Sequence, residues 1–178
     1  MKKLSSFIFH RLWGWELIGS FPEITKCVVI VAPHTSWVDF IIGVLVRSIV
    51  GKEVHFIGKH SLFKPPFGWI FRSLGGTPID RSKNSDTVAS TVEIFKQKEV
   101  FRLALSPEGT RKKVEKWKTG FYYIARQAGV PVVMVALDFG KKQVKISQPV
   151  FPTINKEADF ELYKEFFKGV VGKIPAYT

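Results

Sequence analysis

"CVVIVAPHTSWVDFIIGVLVRSIV", residues 27–50, decides how the rest of the chain is read. "CVVIVA" (27–32) is a short, β-branched apolar run of the kind buried on both faces of a parallel sheet. "WVDFIIGVLVRSIV" (37–50) is long enough for a helix. Between them lie His34, Thr35 and Ser36, and Asp39 stands at the start of the second, polar groups set where two core-bound segments meet. In a continuous helix His34 and Asp39 would stand about 140° apart around the axis. They meet only if His34 lies in the loop after the strand and Asp39 in the first turn of the helix. Pro33 ends the strand, and Thr35 or Ser36 is a good N-cap.

Two readings of this loop compete. "SWVD" resembles a capping box, in which Ser36 caps the helix and Asp39 reaches back to it. An imidazole beside a carboxylate also has a catalytic meaning: the carboxylate fixes the tautomer, and the other ring nitrogen removes a proton from a hydroxyl or water. In that reading His34 is the base and Asp39 orients it. Ser36 as a nucleophile is weaker, because no nucleophile-elbow pattern surrounds it.

The same alternation continues outward. "EVHFIG" (53–58), "TPID" (77–80), "FRLALS" (101–106), "VVMVALDF" (132–139) and "KQVKIS" (142–147) read as strands, the last two as a hairpin around Gly140. "SLFKPPFGWIFRSLGG" (61–76), "SDTVASTVEIFKQKE" (85–99), "TGFYYIARQAG" (119–129) and "EADFELYKEFFKGV" (157–170) read as helices, with Ser85 or Asp86 and Thr119 as caps. The expected fold is a single α/β domain with a largely parallel central sheet flanked by helices. Residues 4–18 also have helical spacing, with Leu4, Phe7, Ile8, Trp15 and Ile18 on one face and Phe9, Trp13 and Leu17 on the other. A helix apolar on two sides packs one on protein and offers the other to lipid. Residues 1–22 are therefore expected as a membrane-associating helix within the same domain as 23–178.

The 178 residues suit one core. An apolar fraction of 46% against 24% charged residues excludes a disordered chain. Cys27 is the sole cysteine, which excludes an internal disulfide framework, and His10, His34, His55 and His60 lack the spacing of a metal site, so no metal is expected. With 27 Lys and Arg against 15 Asp and Glu, the excess of +12 favours anionic partners: polyanions, anionic lipid or phosphorylated small molecules. No segment reaches the roughly 18 to 20 apolar residues of a membrane span. The basic N-terminus is broken by His10, Arg11 and Glu16, so export through a signal peptide is not expected.

A second polar cluster, "LSPEGTRKKVEKWKTGF" (105–121), follows a strand. Gly109 permits a tight turn, Thr110 offers a hydroxyl, and Arg111 can hold a phosphate with two parallel hydrogen bonds. Lys112, Lys113, Lys116 and Lys118 deepen the field. The plainer alternative is a solvated loop with an ion pair between Arg111 and Glu108.

"HTSWVD" followed some seventy residues later by "PEGTR" resembles the signature of the glycerolipid acyltransferases related to 1-acylglycerol-3-phosphate acyltransferase. "GKHSLFKPPFGWIFRSLGGTPIDR" (58–81) and "AGVPVVMVAL" (128–137) are similar to two further blocks of that family. The chain departs from the family pattern at Pro33, where Asn is common, and at Ser106, where Phe is common. The resemblance implies acyl transfer from acyl-CoA or acyl carrier protein, as co-substrate and without another cofactor, to the hydroxyl of a lysophospholipid. A lyso-aminolipid or other hydroxylated lipid is the alternative acceptor. It implies His34 as base and Asp39 as its orienter, with Glu108, Gly109, Thr110, Arg111, Lys59 and Arg81 as acceptor-binding residues. It further implies a peripheral or monotopic protein on the cytoplasmic, anionic face of the inner membrane, without a nucleic-acid partner. The competing classes are a thioesterase and a non-catalytic basic module binding membrane or nucleic acid.

Overall fold

The computed structural model describes residues 2–79 and 87–178, with the backbone alone at Lys59, His60, Pro78 and Ile79. Seven strands among the described residues form one sheet: β1 (Glu16–Ile18), β2 (Lys26–Ala32), β3 (His55–Lys59), β4 (Gly76–Ile79), β5 (Phe101–Leu105), β6 (Val132–Asp138) and β7 (Gln143–Ile146). Their order is β1-β7-β6-β2-β5-β3-β4. Every neighbouring pair is parallel except β6–β7, the hairpin, which is antiparallel. β2 lies near the middle, with Val28 opposite Leu103 of β5 on one side and Val132 of β6 on the other.

Alternation along the strands builds two cores. Val28, Ile30, Leu103, Val132 and Met134 face one way, and pack against Phe95 of α4 (Thr87–Gln97), Phe121 and Tyr122 of α5 (Gly120–Ala128) and Tyr163 of α6 (Lys156–Phe167). Cys27, Val29, Val133, Val135 and Leu137 face the other way, against Ile42 and Val46 of α2 (Val38–Val50) and against Phe9. A sheet covered on both faces explains why β6 is buried at all seven positions and reads as a continuous apolar run. Burial pushes the Cys27 thiol up to about 12. Arg102, at the start of β5, is buried and braces two loops, donating to the carbonyls of Ile24 and Glu53 at 2.8 and 3.3 Å.

The N-terminal segment departs from the expected single helix. α1 (Lys2–Ser6) continues into a wider π-helical turn (Phe7–Leu12) and stops, and Glu16–Ile18 is strand β1. The chain turns at Gly14, whose φ of +67 suits glycine, and the Glu16 N–H then bonds the Lys142 carbonyl at 2.9 Å. Phe9 and Trp15 are buried in the core, whereas Leu4, Phe7 and Leu12 remain exposed. α3 (Gly68–Ser73) follows the prolines as the spacing predicts. The expected caps Ser85 and Asp86 lie outside the described residues, and Thr119 makes no side-chain capping bond. α6 is instead capped at Asn155, whose side chain accepts from the Ala158 N–H at 3.1 Å.

Candidate active site

β2 ends at Ala32 and α2 begins at Val38, so residues 33–37 form a loop at the C-terminal edge of the sheet, where open α/β folds gather their chemistry. His34 lies in this loop and Asp39 in the first turn of α2. Neither Thr35 nor Ser36 is the N-cap; Trp37 is, without a side-chain capping bond. The carboxylate of Asp39 does the work from inside the helix. Its Oδ2 accepts from the N–H groups of Thr35 and Ser36, both at 2.8 Å, and stands 3.0 Å from His34 Nδ1. One arrangement therefore has the geometry that both the capping and the catalytic readings of this stretch require. With Nδ1–H donated to Asp39, the neutral ring presents Nε2 as its basic nitrogen. Asp39 is only 3% exposed, while the His34 side chain keeps 27% of its surface. Among the described residues, Asp39 Oδ1 has no hydrogen-bond partner.

The second cluster meets the first through Glu108. Its Oε2 accepts from the backbone N–H of His34 at 2.8 Å and from Ser106 Oγ at 3.3 Å. The resemblance assigns Glu108 to the acceptor; in the structure its carboxylate pins the loop that carries His34. It forms no ion pair with Arg111 among the described residues. Burial raises the Glu108 pKa, and the bonds from His34 and Ser106 offset this only in part. Gly109 turns with φ +67, and a Cβ there would lie 2.8 Å from Lys118 Cδ, so the lysine stem closes over the glycine. The Lys118 N–H also bonds the Pro107 carbonyl at 2.8 Å. Thr110 and Arg111 are exposed on this turn, and Thr110 Oγ1 accepts from the Lys112 N–H at 3.3 Å. The cations of residues 111–118 have no carboxylate at ion-pair distance among the described residues. The backbone of Lys59 ends β3, a strand parallel to β5 and β2, while Arg81 lies outside the described residues.

Beneath α2 lies a cavity of about 240 Å³. Val29, Val31, Phe40, Gly43, Val46 and Leu137 line its apolar part, and His34 and Asp39 also belong to its wall. Arg47 and His55 add polar groups; Arg47 Nη1 donates to the Leu74 carbonyl at 2.6 Å. Burial, then the charges of Lys98 and Arg47, hold the His55 pKa down. Sequence reasoning missed this cavity, and it noted Thr35 only as a cap and Ser106 only as a departure from the family pattern.

A family model for acyltransferases matches residues 18–138, more than half of the chain, and the protein belongs to that family. Within it the chain stands with the glycerolipid acyltransferases. It is 29% identical over 127 residues to the 1-acyl-sn-glycerol-3-phosphate acyltransferases of Salmonella typhimurium and Escherichia coli, which covers 67% of this chain and 50% of theirs. A chloroplastic 1-acyl-sn-glycerol-3-phosphate acyltransferase of Brassica napus is 32% identical over 121 residues, 64% of this chain and 33% of that one. The chain thus spans about half the length, or less, of these curated relatives. The crystal structure of PlsC, the 1-acyl-sn-glycerophosphate acyltransferase of Thermotoga maritima, has the same fold, with a TM-score of 0.67 over 94% of this chain and 75% of that one at 24% identity.

Proposed function

We propose that the protein moves a fatty acyl group from the thioester of acyl-CoA or acyl carrier protein to the free hydroxyl of a lysophospholipid such as 1-acylglycerol-3-phosphate. One observation carries the reading: the imidazole–carboxylate pair of His34 and Asp39, at 3.0 Å, forms part of the wall of an apolar cavity. His34 Nε2 takes the acceptor's hydroxyl proton as its oxygen bonds to the thioester carbonyl. The tetrahedral oxyanion collapses, the C–S bond breaks, and the thiolate takes the proton from the imidazolium. Asp39 stabilises that imidazolium throughout. The cavity suits the acyl chain, since each buried CH₂ contributes about 0.8 kcal/mol. Arg111 and its neighbouring lysines, free of carboxylate partners among the described residues, suit an anionic head group. Apart from the donor thioester, this chemistry calls on no cofactor.

Lipid substrates require a lipid surface, and the reading sets the protein on the cytoplasmic face of the inner membrane as a peripheral or monotopic enzyme. No helix among the described residues is long and apolar enough to cross a membrane. Trp37 is 65% exposed beside the catalytic loop, and Phe67 and Trp69 are 63% and 70% exposed ahead of and within α3. Such aromatics favour the interface between lipid and water. The test is thiol release from a long-chain acyl-CoA, and from acyl carrier protein, with and without lysophosphatidic acid. Wild type should release thiol only with acceptor, and His34→Ala should be slower by about 10²- to 10⁴-fold. A folded His34→Ala protein turning over at the wild-type rate would overturn the reading.

A further inference from the structure

We propose that residues 170–178 form a strap that sets the position of the His34–Asp39 pair, acting through Thr35 and Gly172 as positioning residues. This rests on the function proposed above. The strap lies beyond the residues matched by the family model, which end at 138.

Thr35 directly follows His34, and it is only 2% exposed. Its N–H donates to Asp39 Oδ2 at 2.8 Å, the same oxygen that faces His34 Nδ1. Its hydroxyl Oγ1 accepts from the backbone N–H of Ile174 at 3.1 Å, across 139 residues of sequence. Its side chain also presses on Gly172: a Cβ at 172 would lie 2.7 Å from Thr35 Cγ2 and 2.9 Å from Oγ1. Real Cβ atoms essentially never come that close to another heavy atom, so only glycine lets the strap lie here without a shift.

The strap is itself held in place. The Phe139 N–H, just after β6, bonds the Val171 carbonyl at 2.8 Å. The Gly172 N–H donates to Thr178 Oγ1 at 3.0 Å, and the Tyr177 N–H bonds the Ile174 carbonyl at 3.0 Å. Val170 is buried. Thr35 is thus held twice, its N–H by Asp39 in the first turn of α2 and its side chain by a segment bonded to the residue after β6. Residues 33–37 have no ladder or helix of their own to fix them. A misplacement of about 1 Å in a reacting group can lower turnover by about 10²-fold, so the grip has a direct route to rate.

Four full-length variants test this: Thr35→Val, Thr35→Ser, Gly172→Ala, and Thr35→Ser with Gly172→Ala. Acyl transfer is measured with a long-chain acyl-CoA and lysophosphatidic acid, and the downfield NMR resonance of the His34 Nδ1 proton is followed in each. Thr35→Val keeps the shape and loses the acceptor; it should lower kcat by about 10- to 100-fold with KM within about twofold. Thr35→Ser keeps the acceptor and should retain most of the rate. Gly172→Ala should lower kcat at least tenfold, and Thr35→Ser should restore part of that loss by removing the methyl it collides with, a coupling a double-mutant cycle reads directly. The His34 resonance should broaden or move in Thr35→Val and Gly172→Ala, and return in the double variant. Should Gly172→Ala fail to fold, Thr35→Val against Thr35→Ser decides alone. Full kcat and an unmoved resonance in folded Thr35→Val would overturn the strap, as would additive losses in the double variant. If wild type transfers no acyl group while the resonance still follows the pattern, the function fails and the positioning stands.

Discussion

Burial holds the Glu108 carboxylate where ionising costs more than it does in water, and the two hydrogen bonds it accepts repay only part. Its folded-state pKa lies above the unfolded value. The stability it contributes is therefore fully present below the unfolded pKa and is lost as pH rises through the folded one. A Glu108→Gln side chain keeps an oxygen for the His34 N–H and removes the charge. Its melting temperature relative to wild type should be highest near pH 7, and the gap should shrink as pH falls towards the carboxylate range. A gap that widens on acidification would show that the charge itself holds the loop. His34 and Asp39 were legible as a pair because strand, loop and helix signals bracket them within a few positions. The role of Glu108 was not, since its bond to the His34 backbone spans 74 residues and no local pattern encodes it.

The same limit governs whole elements. β2 and α2 were read within a residue of their observed bounds, because a β-branched run and a 13-residue helix have distinct patterns. β1 was lost inside a supposed helix. Three strand residues are too short for a period of two to show, and Trp15, Leu17 and Ile18 happen to continue the helical spacing past Gly14. α2 carries its own anomaly in Gly43, since glycine inside a helix costs roughly 1 kcal/mol against alanine. Gly43 lines the cavity, and a Cβ there would meet nothing within 4 Å. The missing side chain is space. Gly43→Leu should therefore raise thermal stability slightly while lowering kcat/KM for palmitoyl-CoA more than for octanoyl-CoA. An unchanged ratio between the two donors would place the acyl chain elsewhere.

For the molecule as a whole, alternating strands and helices made the parallel sheet legible, but not its order. Pairing in the sheet is decided by contacts between distant segments, such as Val28 with Val132. The charge excess of +12 was legible at once, and it predicts how the protein meets lipid. Binding to anionic vesicles should weaken between about 0.1 and 1 M salt, as the screening length falls from roughly 10 to 3 Å. Binding indifferent to both salt and lipid charge would leave the aromatic residues as the only anchor.

The pairing of β1 with β7 has a consequence during synthesis. Glu16 leaves the ribosome 127 residues before Gln143, the partner it pairs with. Until then Phe9 and Trp15 lack Val144 and Ile146, which complete their side of the core. The growing chain thus carries a basic, apolar N-terminal segment, with Lys2, Lys3 and Arg11 close in sequence to those rings, whose burial is completed by β7. A chain ending at Gly140 should cling to anionic vesicles more tightly than the full one; equal binding would mean the segment folds away without its strand. The nascent enzyme would then be delivered to the bilayer before it is able to work there.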